Sequence, residues 1–410
     1  MKLKQRPSDF RVRELLRDGF LAGRGGHRVY LVTKRKLTSL EAAAMLAGLV
    51  GVDPAEVSLA GLKDRQGVTS QFMSVPGGRA VRVDEPELTI EPAGFARQAL
   101  SAAESRGNAF RIRVRELDRG EIERLRANAE VVRRHGLPDY FDEQRFGNLR
   151  HGQGWIAKEL MLGRAEGALK GLLCSRSRHD DPRAAGFKSA LTRAWGDWSQ
   201  CREIAGRHRA HHSVFDHLRR RPGDFAGAFR HVATRVRLIH LYAFQSHLWN
   251  RAVASYLRRR CGAAELHVAD SIEGPLVFPL GPLPAEEGWE GRFRLPGERL
   301  ADVEHELQRE LLEQVLAEEG LVADQLRIED APGFRLKGED RPLCVRPGLL
   351  RVTAPERAGP GARGASALLS FELPRGAYAT LVVRRLLAGP GPAPPRDGGR
   401  PQGRGRAGRR

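Results

Sequence analysis

Residues 57–72 read VSLAGLKDRQGVTSQF, and the interpretation of the other segments depends on this stretch. At its centre the acid Asp64 lies between two cations, Lys63 and Arg65, and a glycine stands three residues to either side. A β-like run leads in, and a run rich in valine and threonine leads out. The pattern predicts a strand, a tight loop and a second strand, with Asp64 at the tip of the loop.

The cations that flank Asp64 favour its ionised form, which makes this carboxylate a candidate nucleophile or base. Lys63 and Arg65 would either keep the acid ionised or hold phosphate groups, and the residues themselves leave both roles open. A surface turn with a local ion pair uses the same residue types and, on this stretch alone, is the commoner outcome.

The composition indicates a large, basic, mostly globular protein. Its 410 residues suggest about two or three domains. The formal net charge of +19 and a pI near 10.7 point to a polyanionic partner, most plausibly nucleic acid. Nine of the 69 basic residues are lysine, so 60 are arginine, which suits bidentate phosphate contacts and stacking on bases.

Several classes of protein are disfavoured by what the chain lacks. The cysteines are far apart and form no CxxC pair, so we expect free thiols in a reducing cytosol rather than a zinc site or disulfides. The histidines between residues 208 and 217 have no acid or thiol at ligand spacing, so no metal is expected. The N-terminus lacks a signal-peptide core, and the longest apolar run, residues 42–52, is too short to span a bilayer. We therefore expect a soluble cytoplasmic protein.

Residues 110–115 alternate between apolar side chains and arginines, as expected for a half-buried strand. Arg111, Arg113 and Arg115 would all face solvent on one side of it. That face would either follow a phosphate backbone or be an ordinary solvated strand face, and the pattern favours neither.

Residues 138–155, PDYFDEQRFGNLRHGQGW, interleave aromatic side chains with polar and basic ones on a glycine-rich backbone. Aromatic faces beside arginines are suited to extracting and holding a nucleobase. Core aromatics next to a flexible loop are the alternative. Further along, a long helix is predicted over residues 236–260, whose polar middle would hold two domains together through structural hydrogen bonds.

Four separated segments together resemble the TruD family of tRNA pseudouridine synthases: SLAGLKDRQGVTSQF, GNAFRIRVREL, YFDEQRFG and FELPRGAYATLVVRRL. PSDFRVREL and YAFQSHLWN add to the resemblance, which spans roughly residues 7–387. It implies a mixed α/β (α+β) fold, in which a catalytic domain built around an antiparallel sheet carries an inserted α/β domain. The implied parts are residues 1–155 and 346–388 for the catalytic domain and residues 156–345 for the insertion. Residues 389–410 are rich in proline, glycine and arginine, and this composition predicts a disordered basic tail.

The resemblance also implies roles for individual residues. Asp64 matches the catalytic aspartate, Phe10 and Tyr378 match aromatic positions near the bound uridine, and Phe141 matches the aromatic that packs on the target base. Asp139 stands where the family usually has asparagine, and a carboxylate accepts hydrogen bonds but cannot donate them as an amide does. The other residues that we expect to bind substrate are Lys63, Arg65, Gln144 and Arg145.

The implied reaction is the isomerisation of uridine, at position 13 of tRNA, to pseudouridine on a nucleotide flipped out of the helix. An aspartate nucleophile would carry it out without cofactor or metal, in a protein that we expect to be a monomer with no obligate protein partner. One alternative is a catalytically silent RNA-binding or chaperone protein that uses the same basic cleft. A metal-dependent nuclease or phosphatase is a second, although no acid cluster of the required kind is present.

Overall fold

The computed structural model describes residues 5–287, 290–328, 334–357 and 364–389. The predicted disordered tail lies outside these residues apart from Gly389. No helix in the described ranges is long and apolar enough to cross a membrane.

The strands and helices alternate irregularly along the chain. The strands are β1 (Phe10–Leu16), β2 (His27–Arg35), β3 (Ser58–Leu59), β4 (Val68–Pro76), β5 (Val83–Asp84), β6 (Leu88–Ala96), β7 (Ser105–Leu117), β8 (Leu137–Pro138), β9 (Leu266–Ala269), β10 (Leu276–Pro279), β11 (Arg292–Arg294), β12 (Asp340–Pro342), β13 (Cys344–Val345), β14 (Gly348–Val352), β15 (Glu356–Arg357) and β16 (Ala365–Pro374). The helices are α1 (Ser39–Val50), α2 (Arg119–His135), α3 (Gly147–Arg150), α4 (Ile156–Met161), α5 (Ala165–Cys174), α6 (Pro182–Ala194), α7 (Trp198–His208), α8 (His212–Arg220), α9 (Phe225–Phe229), α10 (Thr234–Arg260), α11 (Glu306–Glu318) and α12 (Ala379–Leu386).

One large sheet dominates the fold, with the strand order β14-β16-β7-β1-β4-β2-β6-β5; β15 pairs with β16 and β3 pairs with β4. Every pairing in it is antiparallel except that of β1 with β4. Strands β14 and β16, from the last part of the chain, extend the sheet beside β7. The predicted mixed α+β fold around an antiparallel sheet is confirmed, whereas the domain boundaries stay predictions.

Local signals explain where the first two long helices begin and end. The Thr38 hydroxyl accepts a hydrogen bond from the Glu41 amide at 3.1 Å, and the Glu41 carboxylate accepts one from the Thr38 amide, so the predicted capping box is confirmed. Helix α2 ends at Gly136, where φ is 75° and an added Cβ would lie 2.5 Å from the sulfur of Cys344. Only glycine satisfies both constraints there.

The polar middle of α10 makes structural hydrogen bonds, as predicted. The Asn250 side chain accepts from the Phe141 amide at 2.9 Å and donates to the Phe141 carbonyl at 2.8 Å. The buried His247 ring bonds to Glu273 at 2.8 Å and to Glu319 at 2.9 Å. Burial alone would lower the pKa of His247, but these two carboxylates raise it above its usual value. The helix therefore fixes the backbone at Phe141 through groups that are themselves fully bonded.

The apolar face of the sheet packs into the main core. Phe10, Phe110 and Phe371, on three adjacent strands, form a row with ring centroids 6.2 and 5.5 Å apart. All three belong to the same contiguous core as Phe141, and Tyr378 packs against it.

Candidate active site

The stretch around Asp64 lies in an opening of the central sheet. Strands β1 and β4 pair only over residues 11–13 with 68–70, and farther along β4 its partner is β3, with Leu59 opposite Met73. Because β2 occupies the other edge of β4, residues 58–67 must lie on the side facing β1. The predicted arrangement of strand, loop and strand is confirmed, and the loop carries Asp64 into this opening.

A buried lysine holds the backbone of this loop. The Lys34 ammonium group donates to the carbonyl oxygens of Lys63 at 3.2 Å, of Asp64 at 2.9 Å and of Leu37 at 2.8 Å. Lys34 is only 1% exposed, and burial lowers its pKa although the nearby Asp64 charge acts in the opposite direction. All three N–H donors of the Lys34 ammonium group are therefore hydrogen-bonded, two of them to carbonyl oxygens of the loop itself.

The Lys63 side chain is held by a second buried group. Its ammonium pairs with the Glu14 carboxylate at 2.7 Å, and the Glu14 side chain is fully buried. The other Glu14 oxygen accepts from the Phe72 amide at 2.9 Å, on the edge of β4 that β1 has left. Lys63 is therefore paired inside the protein, and its expected role in binding substrate stays a prediction.

The side chains of Asp64 and Arg65 are less enclosed than that of Lys63. Asp64 is half-buried, its carbonyl bonds to Lys34, and its carboxylate lies 3.4 Å from the amide of Gln66. Arg65 is exposed and donates from Nε to the carbonyl of Lys36 at 2.8 Å. The backbone of the loop is thus anchored while the side chain of Asp64 stays partly open to solvent.

Phe10 borders the same loop. A Cβ at the buried Gly67 would lie 2.7 Å from the Phe10 carbonyl oxygen and 3.2 Å from the Phe10 ring, so the loop packs tightly on this residue. Phe10 is 8% exposed. The structure thus brings Phe10, Lys63, Asp64 and Arg65 into one group.

The other expected residues form a second group around Phe141. Its ring lies edge-on to Tyr378 and to Trp249, with centroids 6.5 and 5.7 Å away. The Arg341 guanidinium lies 4.0 Å from the ring centroid, and that of Arg145 lies 5.3 Å away. Phe141 is 5% exposed, so its surface is covered by these neighbours.

Asp139 is buried beside this aromatic cluster. One carboxylate oxygen pairs with Arg341 at 2.9 Å, and the backbone carbonyl of Asp139 accepts from Nε of Arg341 at 2.8 Å. The other carboxylate oxygen is buried and has no hydrogen-bond partner in the described structure. Burial raises the pKa of Asp139 to about 7 although Arg341 opposes the shift. Near neutral pH both forms are therefore populated, and the neutral one can donate a hydrogen bond as an asparagine would.

The sequence analysis missed Lys34, Glu14 and Arg341. A signal for the first two exists in the alternation of their strands, since Lys34 shares the buried face of β2 and Glu14 that of β1. Arg341 has no local signal, because it lies 200 residues from the ring that it covers. Gln144, which we expected to bind substrate, is exposed, and nothing else in its surroundings bears on that role.

The predicted alternation in β7 is confirmed, but two of the three arginines on its polar face are paired with acids. Arg115 forms a two-bond ion pair with the buried Asp9, at 2.7 and 2.9 Å, and Arg113 pairs with Glu356 at 2.6 Å. Burial alone would raise the pKa of Asp9, but Arg115 and the amide of Arg6 hold it below its usual value. Acids supplied by distant segments thus neutralise two of the three guanidinium groups.

The exposed basic face instead combines residues of two strands. Arg111 remains exposed on β7 and lies directly opposite Arg11 of β1, with Arg13 two residues farther along the same face. Within the described ranges none of these three guanidinium groups has an ion-pair partner. Like charges placed opposite each other destabilise a sheet, and a bound polyanion would relieve that cost.

No group of three or more His, Cys, Asp or Glu side chains among the described residues is arranged to hold a metal ion. The four cysteines are free. The histidines of α7 and α8 make other contacts, such as the 2.8 Å bond from His217 to Asp224.

Comparison with known proteins identifies the family. A family model for tRNA pseudouridine synthase D (TruD) matches residues 1–275 and 293–386. A tRNA pseudouridine synthase D from Geobacter metallireducens is 32% identical over 411 residues, covering 94% of this chain and 95% of that protein. Another, from Aquifex aeolicus, is 28% identical over 400 residues, covering 94% and 98%.

A solved structure shares the fold. The crystal structure of a TruD protein from Methanosarcina mazei superposes with a TM-score of 0.70 at 21% identity, covering 94% of this chain and 93% of that one. The family model spans nearly all of the described residues, including both groups of the candidate site. This chain therefore belongs to the tRNA pseudouridine synthase D (TruD) family.

Proposed function

We propose that this protein isomerises uridine 13 of tRNA to pseudouridine, with Asp64 as the nucleophile. The family membership supports the reaction class, and the net charge of +19 suits an RNA substrate. The observation that carries the proposal is the anchoring of the Asp64 loop, whose backbone is tied to buried Lys34 while the carboxylate stays partly accessible.

The reaction needs a carboxylate held in place beside a ribose. In the isomerisation the C1′–N1 bond breaks, the uracil rotates, and a C1′–C5 bond forms; C5 then loses its proton and N1 gains one. Asp64 attacks C1′ as the C1′–N1 bond breaks, and the bond from Asp64 to C1′ breaks in turn when the C1′–C5 bond forms, so the carboxylate is regenerated. Lys34 and the pair of Glu14 with Lys63 restrict the loop so that the nucleophile is positioned before substrate arrives.

The base must leave the RNA stack before Asp64 can reach the sugar. In the proposal Phe141 receives the extruded base, and Phe10 and Tyr378 line the space around it. The exposed arginines of β1 and β7 bind the phosphate backbone. These roles rest on the positions of the side chains and on the family resemblance.

The test follows tritium from C5 of uridine in tRNA into water. Wild-type protein should release one tritium per modified site, and Asp64→Asn should abolish release while retaining tRNA binding. Asp53→Asn is the control, since Asp53 is an exposed acid before the same loop and caps a short helical turn. Full release by Asp64→Asn would refute the role of Asp64.

A second substrate tests the position. Transfer RNA in which cytidine replaces uridine 13 should release no tritium, and release at the wild-type rate would move the target elsewhere. Binding without any release from either RNA would instead support the catalytically silent RNA-binding protein. Strand cleavage would support a nuclease.

A further inference from the structure

The face of Phe141 that a base would stack on is already covered. The Arg341 guanidinium lies over the Phe141 ring, 4.0 Å from its centroid, at the distance of a close cation–π contact. The same guanidinium lies 5.5 Å from the ring of Trp249. Because Phe141 is only 5% exposed, a nucleobase cannot pack on this ring unless a neighbour moves.

Arg341 is held in this place by groups from two other segments. It donates to the carbonyl of Asp139 at 2.8 Å and to the carbonyl of Gly376 at 3.1 Å, and it pairs with the Asp139 carboxylate at 2.9 Å. Gly376 immediately precedes the segment that carries Tyr378. Arg341 therefore belongs to β12, but its guanidinium contacts the residues that line the proposed base site.

The surroundings of Phe141 contain buried polar atoms that lack hydrogen-bond partners in the described structure. One carboxylate oxygen of Asp139, one of Asp142 and Nε of Arg145 are buried without hydrogen-bond partners in the described structure. Such atoms are uncommon in folded proteins, and a ligand that reaches them would supply the missing partners. They occur within seven residues of one another, around the ring that Arg341 covers.

We propose that Arg341 is a substrate-site residue whose guanidinium occupies the stacking face of Phe141 in the free protein and yields it to the extruded base. This inference rests on the proposed function. A planar guanidinium and a pyrimidine ring present similar flat surfaces to an aromatic face, so one replaces the other without opening a void. The displaced cation then binds a phosphate beside the extruded nucleotide.

The ionisation of Asp139 makes the exchange possible near neutral pH. Burial raises the pKa of Asp139 to about 7, so in a fraction of the molecules the carboxyl group is neutral and holds Arg341 less strongly. Until RNA arrives, the Arg341 guanidinium keeps water away from the ring, and its exchange for a base is easiest in the molecules whose Asp139 is neutral.

The experiment measures binding of the free nucleoside uridine to the full-length chain by ligand-detected NMR titration. In Arg341→Ala the ring face is uncovered, and uridine should bind about tenfold more tightly than to wild type. Binding of tRNA to the same variant should weaken, because the phosphate contact is lost. These opposite directions distinguish an exchangeable cap from a merely structural arginine, whose removal would weaken both.

Arg384→Ala is the matched control. Arg384 has similar ties, to Glu143 at 2.7 Å and to the Asp270 carbonyl at 2.9 Å, and it should leave uridine binding unchanged. If Arg341→Ala fails to fold, Arg341→Lys replaces the planar group by a compact ammonium and should show a smaller gain in the same direction. Unchanged or weaker uridine binding in the folded variant overturns the proposal. Tritium release by wild-type protein is measured separately, so failure of this inference is distinguishable from failure of the proposed function.

Discussion

Lys34→Met removes the buried ammonium group that holds the Asp64 loop. Methionine keeps the length of the side chain and its apolar packing, but it cannot donate to the carbonyl oxygens of Lys63 and Asp64. The loop should then lose its fixed geometry while the strand beneath it stays in place. We expect a large loss of the chemical rate with tRNA affinity nearly unchanged.

The size of the effect follows from the two loop bonds. A hydrogen bond to a charged group contributes about 1.5 kcal/mol at the lower end of its range. Two such bonds amount to roughly 3 kcal/mol of loop ordering, which at 1.36 kcal/mol per factor of ten lowers the rate about 100-fold. The binding of tRNA is spread over many phosphate contacts, none of which this substitution removes.

The assay is single-turnover tritium release with enzyme in excess, with tRNA affinity measured in parallel by filter binding. Lys188→Met is the control, because Lys188 is also largely buried and pairs with Asp180 at 2.8 Å, but on α6. It tests whether the loss of any buried lysine slows the enzyme. A Lys34→Met rate within threefold of wild type, in a protein that circular dichroism shows to be folded, would refute the positioning role.

Two further predictions concern the basic face and the buried acid. Replacing Arg11, Arg13 and Arg111 together by alanine should weaken tRNA binding. In a salt titration, the magnitude of the slope of log affinity against log salt concentration should fall by about 2. An unchanged slope would contradict the phosphate-binding role of these arginines. Asp139 has a pKa near 7 in the folded state, above its usual value of 3.8, so the stability from its bound proton is complete below about pH 4 and is lost as pH rises toward 7. Relative to Asp139→Asn, the free energy of unfolding of wild type should fall by about 2.3 kcal/mol between pH 5 and 7, measured by chemical denaturation. A difference independent of pH would contradict the shifted pKa.

Much of the architecture could be predicted because its signals are local. The capping box at Thr38 and Glu41, the alternation in β7 and the basic last turn of α10 each depend on neighbours a few residues away. The assignment of Asp64 to a loop between two strands was of this kind. The pairing of Arg115 with Asp9 and of Arg113 with Glu356 could not be predicted, because these two acids come from distant parts of the chain.

In the candidate site, too, local motifs could be recognised from the sequence, whereas contacts between distant segments could not. The positions of Asp64, Phe10, Phe141 and Tyr378 follow from ordered motifs, but the roles given to them stay predictions. Pairing of Lys63 with Glu14 could not be foreseen, because a lysine beside an acid carries no mark of which distant carboxylate it will meet. The structure pairs Lys63 with Glu14, and which of the two roles left open belongs to Lys63 stays a prediction.

By itself the sequence determined the elements, the fold class and the family, because periodicity, caps and ordered motifs are properties of neighbouring residues. Only the tertiary structure decided which charges are free and which surfaces are open. It buried Lys34 against the Asp64 loop and placed Arg341 on Phe141, both through contacts between segments that meet only after folding. The physical reason is that burial and charge pairing depend on what lies opposite in space, which the order of residues along the chain does not state.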